Sequence, residues 1–508
     1  MKRGTIHLYK IGILFLEREF EHDIYELIRA FYPESSLTSF YSSEEVTECD
    51  LFFRIEDQDG SCLIGYENEE KKGVITAEFT EGQSSDALIS CDKDRAHAVR
   101  KERKDQLKYA LYQLLVKLTG KTLPWGNLTG IRPAKLAMGL IESGMKNTEA
   151  AREMRERYLV SPQKTALAIT IANREREILK NIDYENGYSL YVGIPFCPSI
   201  CLYCSFSSYP LKQWKDRVDL YLEALCKEIH EVAQMMKGRK LDTIYIGGGT
   251  PTTLEPYQLQ KLLDALSESF GFDRLEEFTI EAGRPDSITR EKLMMIRNYP
   301  VTRISVNPQT MNQETLDIIG RRHTVEETKT AFALARECGF DNINMDLIVG
   351  LPGEDRLMVE NTLREVRTLA PDSMTVHSLA VKRAARLNIF RDRYQEMTFE
   401  NNQEIMDMTM KAAYEMEMGP YYLYRQKNMK GNFENVGYAK VDKAGIYNIL
   451  IMEEKQPIIA LGAGGSSKLV FDHGNRIERV ENVKDVTNYI ERIDEMIERK
   501  RTGIRTWL

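Results

Sequence analysis

Between Ser189 and Leu379 six short apolar runs alternate with helical stretches, and no other feature restricts the fold of this chain so strongly. The runs are SLYVGIP (Ser189–Pro195), TIYIGG (Thr243–Gly248), EFTIEA (Glu277–Ala282), RISVN (Arg303–Asn307), NINMDLIVG (Asn342–Gly350) and SMTVHSL (Ser373–Leu379). Residues with helical spacing fill the gaps, as in Val218–Met236, Gln258–Phe270, Glu314–Ile319, Val325–Cys338 and Val359–Leu369. Strand–helix units in succession predict a parallel sheet with right-handed crossovers. In such sheets ligands bind at the carboxyl ends of the strands. The residues that close each run are therefore the first place to look for chemistry.

The first run leads straight into FCPSICLYC, which sets Cys197, Cys201 and Cys204 in a C-x3-C-x2-C spacing. Three thiolates this close can hold three irons of a [4Fe–4S] cube and leave the fourth iron open. A zinc site short of one ligand, or three unrelated thiols, are the plainer alternatives. Against zinc, no His follows at finger spacing and no second Cys pair completes an all-cysteine site. The other five cysteines (Cys49, Cys62, Cys91, Cys226 and Cys338) show no disulfide framework and read as buried small hydrophobes in a reducing compartment.

The second run ends in IGGGTPT (Ile246–Thr252). Glycine at a strand end lets the backbone approach a ligand closely, although a lone glycine triplet is usually a tight turn. The third run closes in EAGRP (Glu281–Pro285), where a carboxylate can accept both hydroxyl hydrogens of a ribose. An exposed strand-end acid is the alternative. RISVNPQ (Arg303–Gln309), GRRH (Gly320–His323) and NMDLIVGLPGE (Asn344–Glu354) follow. A strand-end Asp left buried and unpaired is costly, which favours a ligand role for Asp346.

Together, YVGIPFCPSICLYC, GGGTPT, GRRH and DLIVGLPGE resemble the signature of the radical S-adenosylmethionine (radical SAM) superfamily, and within it the oxygen-independent coproporphyrinogen III dehydrogenase family. The likeness spans residues 187–380. The long N-terminal extension and YYLYRQKNMKGNFENVGYA (Tyr421–Ala439) are similar to the HemZ branch of that family. The resemblance implies an α/β fold built on an incomplete (β/α)6 barrel. It also implies a [4Fe–4S] cluster on Cys197, Cys201 and Cys204, with the open iron chelated by the methionine amine and carboxylate of SAM. By the same likeness Gly248, Gly249 and Thr250 meet the methionine amino group and Glu281 meets the ribose. Tyr191, Tyr203, Gln309, Arg321 and Asp346 complete that site. Three positions depart from the family pattern. Asn307-Pro308 replaces a usual Gly-Val before Gln309. Gly193 stands where the oxidase of established activity has His, and Phe206 where it has a fourth Cys; the heme-chaperone branch, HemW, also has Phe there.

Residues 1–95 mix strand-like runs (Thr5–Leu16, Leu51–Ile55, Cys62–Tyr66, Val74–Phe79) with a helical pattern near Glu21–Phe31. They predict a small α+β domain of unassigned role, with a hairpin around Asp57–Ser61. Residues 96–182 read as a helical connector, with a helix over Ala96–Thr119 stopped by Gly120 and a turn at Asn127–Lys135. The partial barrel is expected over 183–400 and a substrate-covering α+β extension over 401–508. That extension should hold a helix near Gln403–Met418 and strands at Tyr421–Tyr424, Ile446–Met452 and Pro457–Gly462. A backbone loop at Gly462–Ser467 against the barrel and a terminal helix over Val483–Arg501 complete it.

A net charge of −8 over 508 residues argues against a general nucleic-acid binder. An anionic substrate then needs local cations. Lys382, Arg383 and Arg386 follow the sixth run, and Arg425 and Lys427 follow Tyr421. Arginine binds carboxylates bidentately, so these are candidate propionate contacts; a solvated face is the alternative. No run of eighteen apolar residues exists to span a membrane, and the N-terminus has neither an uninterrupted apolar region nor a small-residue cleavage site, which points to the cytoplasm. The resemblance implies a radical SAM oxidoreductase of anaerobic heme biosynthesis. It would turn propionates of coproporphyrinogen III into the vinyls of protoporphyrinogen IX through a 5′-deoxyadenosyl radical, with a flavodoxin- or ferredoxin-type electron donor. The rivals are a HemW-like heme-binding chaperone, which Gly193 and Phe206 favour, and a radical SAM enzyme acting on heme by ring opening and methyl transfer.

Overall fold

The computed structural model describes residues 9–58, 60–79, 92–130, 132–380, 385–389, 397, 401–426 and 433–508. The chain divides into two compact units, Met1–Ile169 with Lys430–Phe433, and Thr170–Met429 with Glu434–Leu508. In the first, a five-stranded sheet runs in the order Ser36–Phe40, Lys10–Phe15, Leu51–Gln58, Ser61–Asn68, Lys72–Glu78. Its first three strands are parallel and the last two continue as an antiparallel meander. Ile11, Ile13 and Phe53 of the sheet bury against Ile24 and Ile28 of the helix Glu21–Phe31 and Leu111 and Leu115 of the helix Asp92–Thr119. The turn after that long helix is part of the packing. Trp125 is fully buried, and a Cβ on Gly126 would stand 2.0 Å from the Tyr158 carbonyl. Asn127 donates to the Arg157 carbonyl at 3.3 Å.

The second unit is built on an eleven-stranded sheet. Its centre is the six expected strands: Gly187–Ile194, Lys240–Gly248, Glu277–Glu281, Arg303–Ser305, Ile343–Val349 and Ser373–Ser378. All are parallel and neighbours in chain order. Ile458–Leu461 adds a seventh parallel strand beside the first, with Ile459 opposite Leu190. Beyond it come antiparallel Ser466–Phe471 and Arg476–Glu481. Asn435–Ala439 and Gly419–Tyr424 finish the other edge, also antiparallel.

Parallel strands buried on both faces normally read as unbroken apolar runs. Here one face is apolar: Leu190, Ile244, Ile280, Ile304, Met345 and Met374, one from each strand, are all 0% exposed. The opposite face carries Ser189, Thr243, Thr279, Arg303, Asn344 and Ser373, none more than 4% exposed. Buried polar groups need partners, and four of these find each other across neighbouring strands. Thr243 donates to the Ser189 hydroxyl at 2.8 Å, and Ser373 donates to Asn344 Oδ1 at 3.1 Å. The apolar face is the one that right-handed crossovers cover with helices, so the polar face lines a lumen.

Two expectations fail at the C-terminal end. Ile446–Met452, expected as a strand, is a helix, Ile446–Glu453. The Glu277 carboxylate, on the third barrel strand, accepts the Ile446 and Tyr447 N–H groups and caps its N-terminus. The single terminal helix is two, Val486–Glu491 and Ile493–Trp507, broken at Arg492. Among the described residues no helix is long and apolar enough to cross a membrane.

The last helix is anchored by charge. Lys500 Nζ lies 2.7 Å from Glu228 Oε1, the two side chains 1% and 0% exposed. Glu228 also accepts from Tyr489 (2.6 Å), Asn482 (2.8 Å) and the Gly462 N–H (2.8 Å). Removing one partner of a buried ion pair costs about 3–5 kcal/mol, because the other charge stays buried. Lys500→Met should therefore lower protection of the Gly462 amide in native-state hydrogen exchange by about two or more decades. A loss under threefold would show that the pair does not hold this corner.

Candidate functional site

The first strand delivers the chain to the cysteine loop, which its own backbone pins. Tyr209 N–H donates to the Pro195 carbonyl at 2.8 Å, Leu202 N–H to Ile319 at 2.9 Å and Cys204 N–H to Cys201 at 3.2 Å. From the second strand end, Gly249 N–H donates to the Ile194 carbonyl at 2.7 Å and Thr250 N–H to Phe196 at 2.8 Å. That approach requires glycine, since a Cβ on Gly249 would stand 2.6 Å from the Phe196 oxygen. Gly248, at φ 106°, takes a conformation that L side chains rarely adopt. Thr250 turns its hydroxyl to Cys197 Sγ at 3.6 Å.

The donor set suits a cube better than an ion. Its three ligands are all thiols, and a cluster takes one thiolate at each of three separate corners. Burial pushes the Cys197 thiol up to about 11, with Cys201 and Cys204 adding to the rise. Burial raises Cys204 too. Ligation replaces such protons by metal. Arg284 Nη1 lies 3.6 Å from Cys201 Sγ, and the Arg321 guanidinium interacts electrostatically with Tyr203 and Cys201.

The remaining expected residues form a connected line along the strand ends. Glu281 receives the Tyr245 hydroxyl and the Gly248 N–H. Burial lifts its carboxyl to about 7, with the Asp346 charge adding to the rise and those two hydrogen bonds opposing it. Burial would also raise Asp346, but His377 nearby and the Asn344 amide, which donates to it at 2.7 Å, hold it below the usual carboxylate range. Asp346 N–H donates to Asn307 Oδ1 at 3.2 Å, and the Asn307 carbonyl accepts from Arg321. Asn307 thus links the two motifs where the family usually has Gly.

Gln309 holds φ 69°, a left-handed conformation that is uncommon outside glycine and concentrates at functional sites. Its N–H donates to the Asp346 carbonyl at 3.0 Å and its carbonyl accepts from Ile348 at 2.9 Å. Its side-chain Oε1 is buried without a hydrogen-bond partner. A buried acceptor left open in this way fits a ligand that brings the donor.

Aromatic rings floor the lumen. Tyr245 and Tyr447 stack at 4.6 Å and 22°, with Tyr191 at 6.3 and 6.4 Å from them. Sequence reasoning assigned no role to Tyr245 or Tyr447, nor to Arg284 or His377. His377 Nε2 stands 3.9 Å from Asp346 Oδ2 and its Nδ1 3.2 Å from the Tyr424 hydroxyl. Polar residues alternating inside otherwise apolar parallel strands were the available signal.

Of the candidate substrate cations, Arg425 is 6% exposed, which excludes the solvated-face alternative there. Burial pulls its guanidinium down to about 10, against the pull of Glu434. Arg386 is exposed. Lys382, Arg383 and Lys427 lie outside the described residues. Gly193 packs against the Gly462 loop: a Cβ there would stand 3.3 Å from the Leu461 carbonyl, and one on Gly462 would stand 2.5 Å from the Gly193 oxygen. A side chain at 193 would ask the Leu461 carbonyl to give by a few tenths of an ångström. Phe206 is 72% exposed.

A six-stranded parallel barrel segment with this cysteine loop at its first strand end defines a radical SAM protein, and residues 191–366 match the model of the Radical SAM superfamily. The chain belongs to the HemZ-type, oxygen-independent coproporphyrinogen III oxidase-like family. It is 40% identical over 474 residues to the oxygen-independent coproporphyrinogen-III oxidase-like protein HemZ of Bacillus subtilis, covering 92% of each chain. It is 39% identical over 195 residues to the heme chaperone HemW of Bacillus subtilis, 38% of this chain and 51% of that one. Against the oxygen-independent coproporphyrinogen III oxidase of Escherichia coli the identity is 35% over 196 residues, 39% and 42% of the two chains. The solved structure of coproporphyrinogen III oxidase (HemN) from Escherichia coli shares the fold, with a TM-score of 0.50 at 24% identity over 64% of this chain and 72% of that one. The cofactors of this family are a [4Fe–4S] cluster and SAM.

Proposed function

We propose that this protein is a radical SAM enzyme that oxidatively decarboxylates propionate side chains of coproporphyrinogen III. The observation that carries the reading is the polar lumen ending in Glu281, Gln309, Arg321 and Asp346 beside three cysteines. Cys197, Cys201 and Cys204 would hold the cluster, and Tyr191, Tyr203, Gly248, Gly249, Thr250 and those four residues would hold SAM. When bound, the two cofactors supply hydrogen-atom abstraction from an unactivated carbon. Each propionate that is converted would lose one β-hydrogen atom, carbon dioxide and one electron, the electron passing to a one-electron acceptor, and a vinyl group would remain.

The protein's share is binding, orientation and water exclusion. Glu281, once ionised, accepts hydroxyl hydrogens while Tyr245 and Gly248 keep it in place. Buried Arg425, beside Glu434, is the described candidate for a propionate contact. The names of the HemZ and oxidase relatives support the tetrapyrrole substrate. The electron would come from a flavodoxin- or ferredoxin-type donor.

One observation favours a second reading. Exposed Phe206, where the proven oxidase has a fourth Cys, and the similarity to HemW fit a heme chaperone. Cluster-loaded protein incubated with SAM, reductant and coproporphyrinogen III separates the two. Vinyl-bearing product that needs SAM is the expected result. No decarboxylated product, together with tight heme binding and delivery to an apo-hemoprotein, would transfer the case to the chaperone.

A further inference from the structure

Arg284 lies in EAGRP just past the third barrel strand, two strands over from the one that leads into the cysteine loop, and is 3% exposed. Its Nε and Nη2 grip the Asp286 carboxylate at 2.9 and 2.8 Å. The guanidinium is a rigid planar fork, so this clamp aims the remaining nitrogen. Nη1 lies 3.6 Å from Cys201 Sγ and 3.2 Å from the Ser199 hydroxyl. A short turn holds the backbone beneath: the Arg284 carbonyl accepts from Ser287 N–H at 3.0 Å and from its hydroxyl at 2.7 Å. The neighbouring His323 is wholly buried. Burial, then Arg321 and Arg284, hold its imidazole down to about 3, so it adds no further positive charge.

Iron–sulfur potentials follow net charge, hydrogen bonds to the sulfurs and solvent exposure. A buried cation donating to a ligand sulfur stabilises the more electron-rich state. We propose that Arg284 is a positioning residue acting through Cys201: its hydrogen bond to that thiolate raises the reduction potential of the cluster and eases entry of the electron that starts turnover. The proposal rests on the reading of Cys201 as a cluster ligand. Asp286 moderates the effect by returning one negative charge and by fixing the fork.

The test is an EPR-monitored redox titration of full-length, cluster-loaded protein without substrate. Arg284→Gln should make reduction about tenfold less favourable, a midpoint about 59 mV more negative for one electron. Arg284→Lys, which keeps charge but not the fork, should move it by under threefold. Asp286→Asn, which removes the negative charge, should shift the midpoint positive. An unchanged midpoint in Arg284→Gln with full iron and sulfide overturns the proposal. If that variant loads no cluster, an unchanged or more negative midpoint in Asp286→Asn overturns it. A wild-type chain that takes up no cluster would instead remove the underlying reading of the site.

Discussion

Cys201→Ala should take up no [4Fe–4S] cluster and produce no detectable 5′-deoxyadenosine from SAM, while its circular dichroism stays that of the parent. The size of the effect follows from ligand count, since two thiolates leave two corners of the cube unheld. The fold should survive because the loop hangs from backbone bonds that do not involve the sulfur: Leu202 to Ile319 and Tyr209 to Pro195. Iron and sulfide analysis with product chromatography checks both parts. A variant that retains the full cluster would show that Cys201 is not a ligand. Cys197→Ala and Cys204→Ala should behave alike, which three unrelated thiols would not.

Glu281→Gln should weaken SAM binding at pH 8 by about one to two orders of magnitude, from hydrogen bonds to a charged acceptor at about 1.5–3 kcal/mol. The pH dependence is more diagnostic. In the ligand-free protein the Glu281 carboxyl sits near 7, raised mainly by burial. A ligand that donates hydroxyls prefers the ionised form, so affinity should rise as pH approaches 7 and flatten above it, with about tenfold lost per pH unit below. Glu281→Gln should bind with no such slope. Stability should move the opposite way. A carboxyl raised in the folded state binds its proton there more readily than in the unfolded chain, so folding stability falls as pH climbs from about 4.5 to 7. At pH 8 the ligand-free Glu281→Gln protein should therefore melt higher than the parent, a trade of stability for function. Flat wild-type affinity from pH 6 to 8, with Glu281→Gln binding equally well, would remove Glu281 from the ligand site.

The six barrel strands were legible because short apolar runs alternate regularly with stretches of helical spacing; the polar face within them, as in Thr243-Ile244 and Asn344-Met345, was not. The cysteine loop was legible from spacing alone. What stayed hidden depended on distant partners. Ile446–Met452 has the β-branched, apolar look of a strand, yet its helix is capped by Glu277, 169 positions earlier at the Ile446 N–H. The edge strand Asn435–Ala439 is masked by Gly437, needed because a Cβ there would meet the Tyr422 ring at 1.9 Å. Nothing in EAGRP announces that Arg284 points at a sulfur 83 residues before it. Gly193 reads in the sequence only as a departure from the oxidase pattern; its packing against the Gly462 loop depends on a segment 269 positions later.

The most direct test of the account follows one atom. Coproporphyrinogen III deuterated at the propionate β-carbons, incubated anaerobically with the cluster-loaded protein, SAM and reductant, should yield singly deuterated 5′-deoxyadenosine in step with vinyl product. Unlabelled 5′-deoxyadenosine without vinyl product, or none at all from protein holding a full cluster, would contradict the claim that the site at the strand ends decarboxylates a tetrapyrrole.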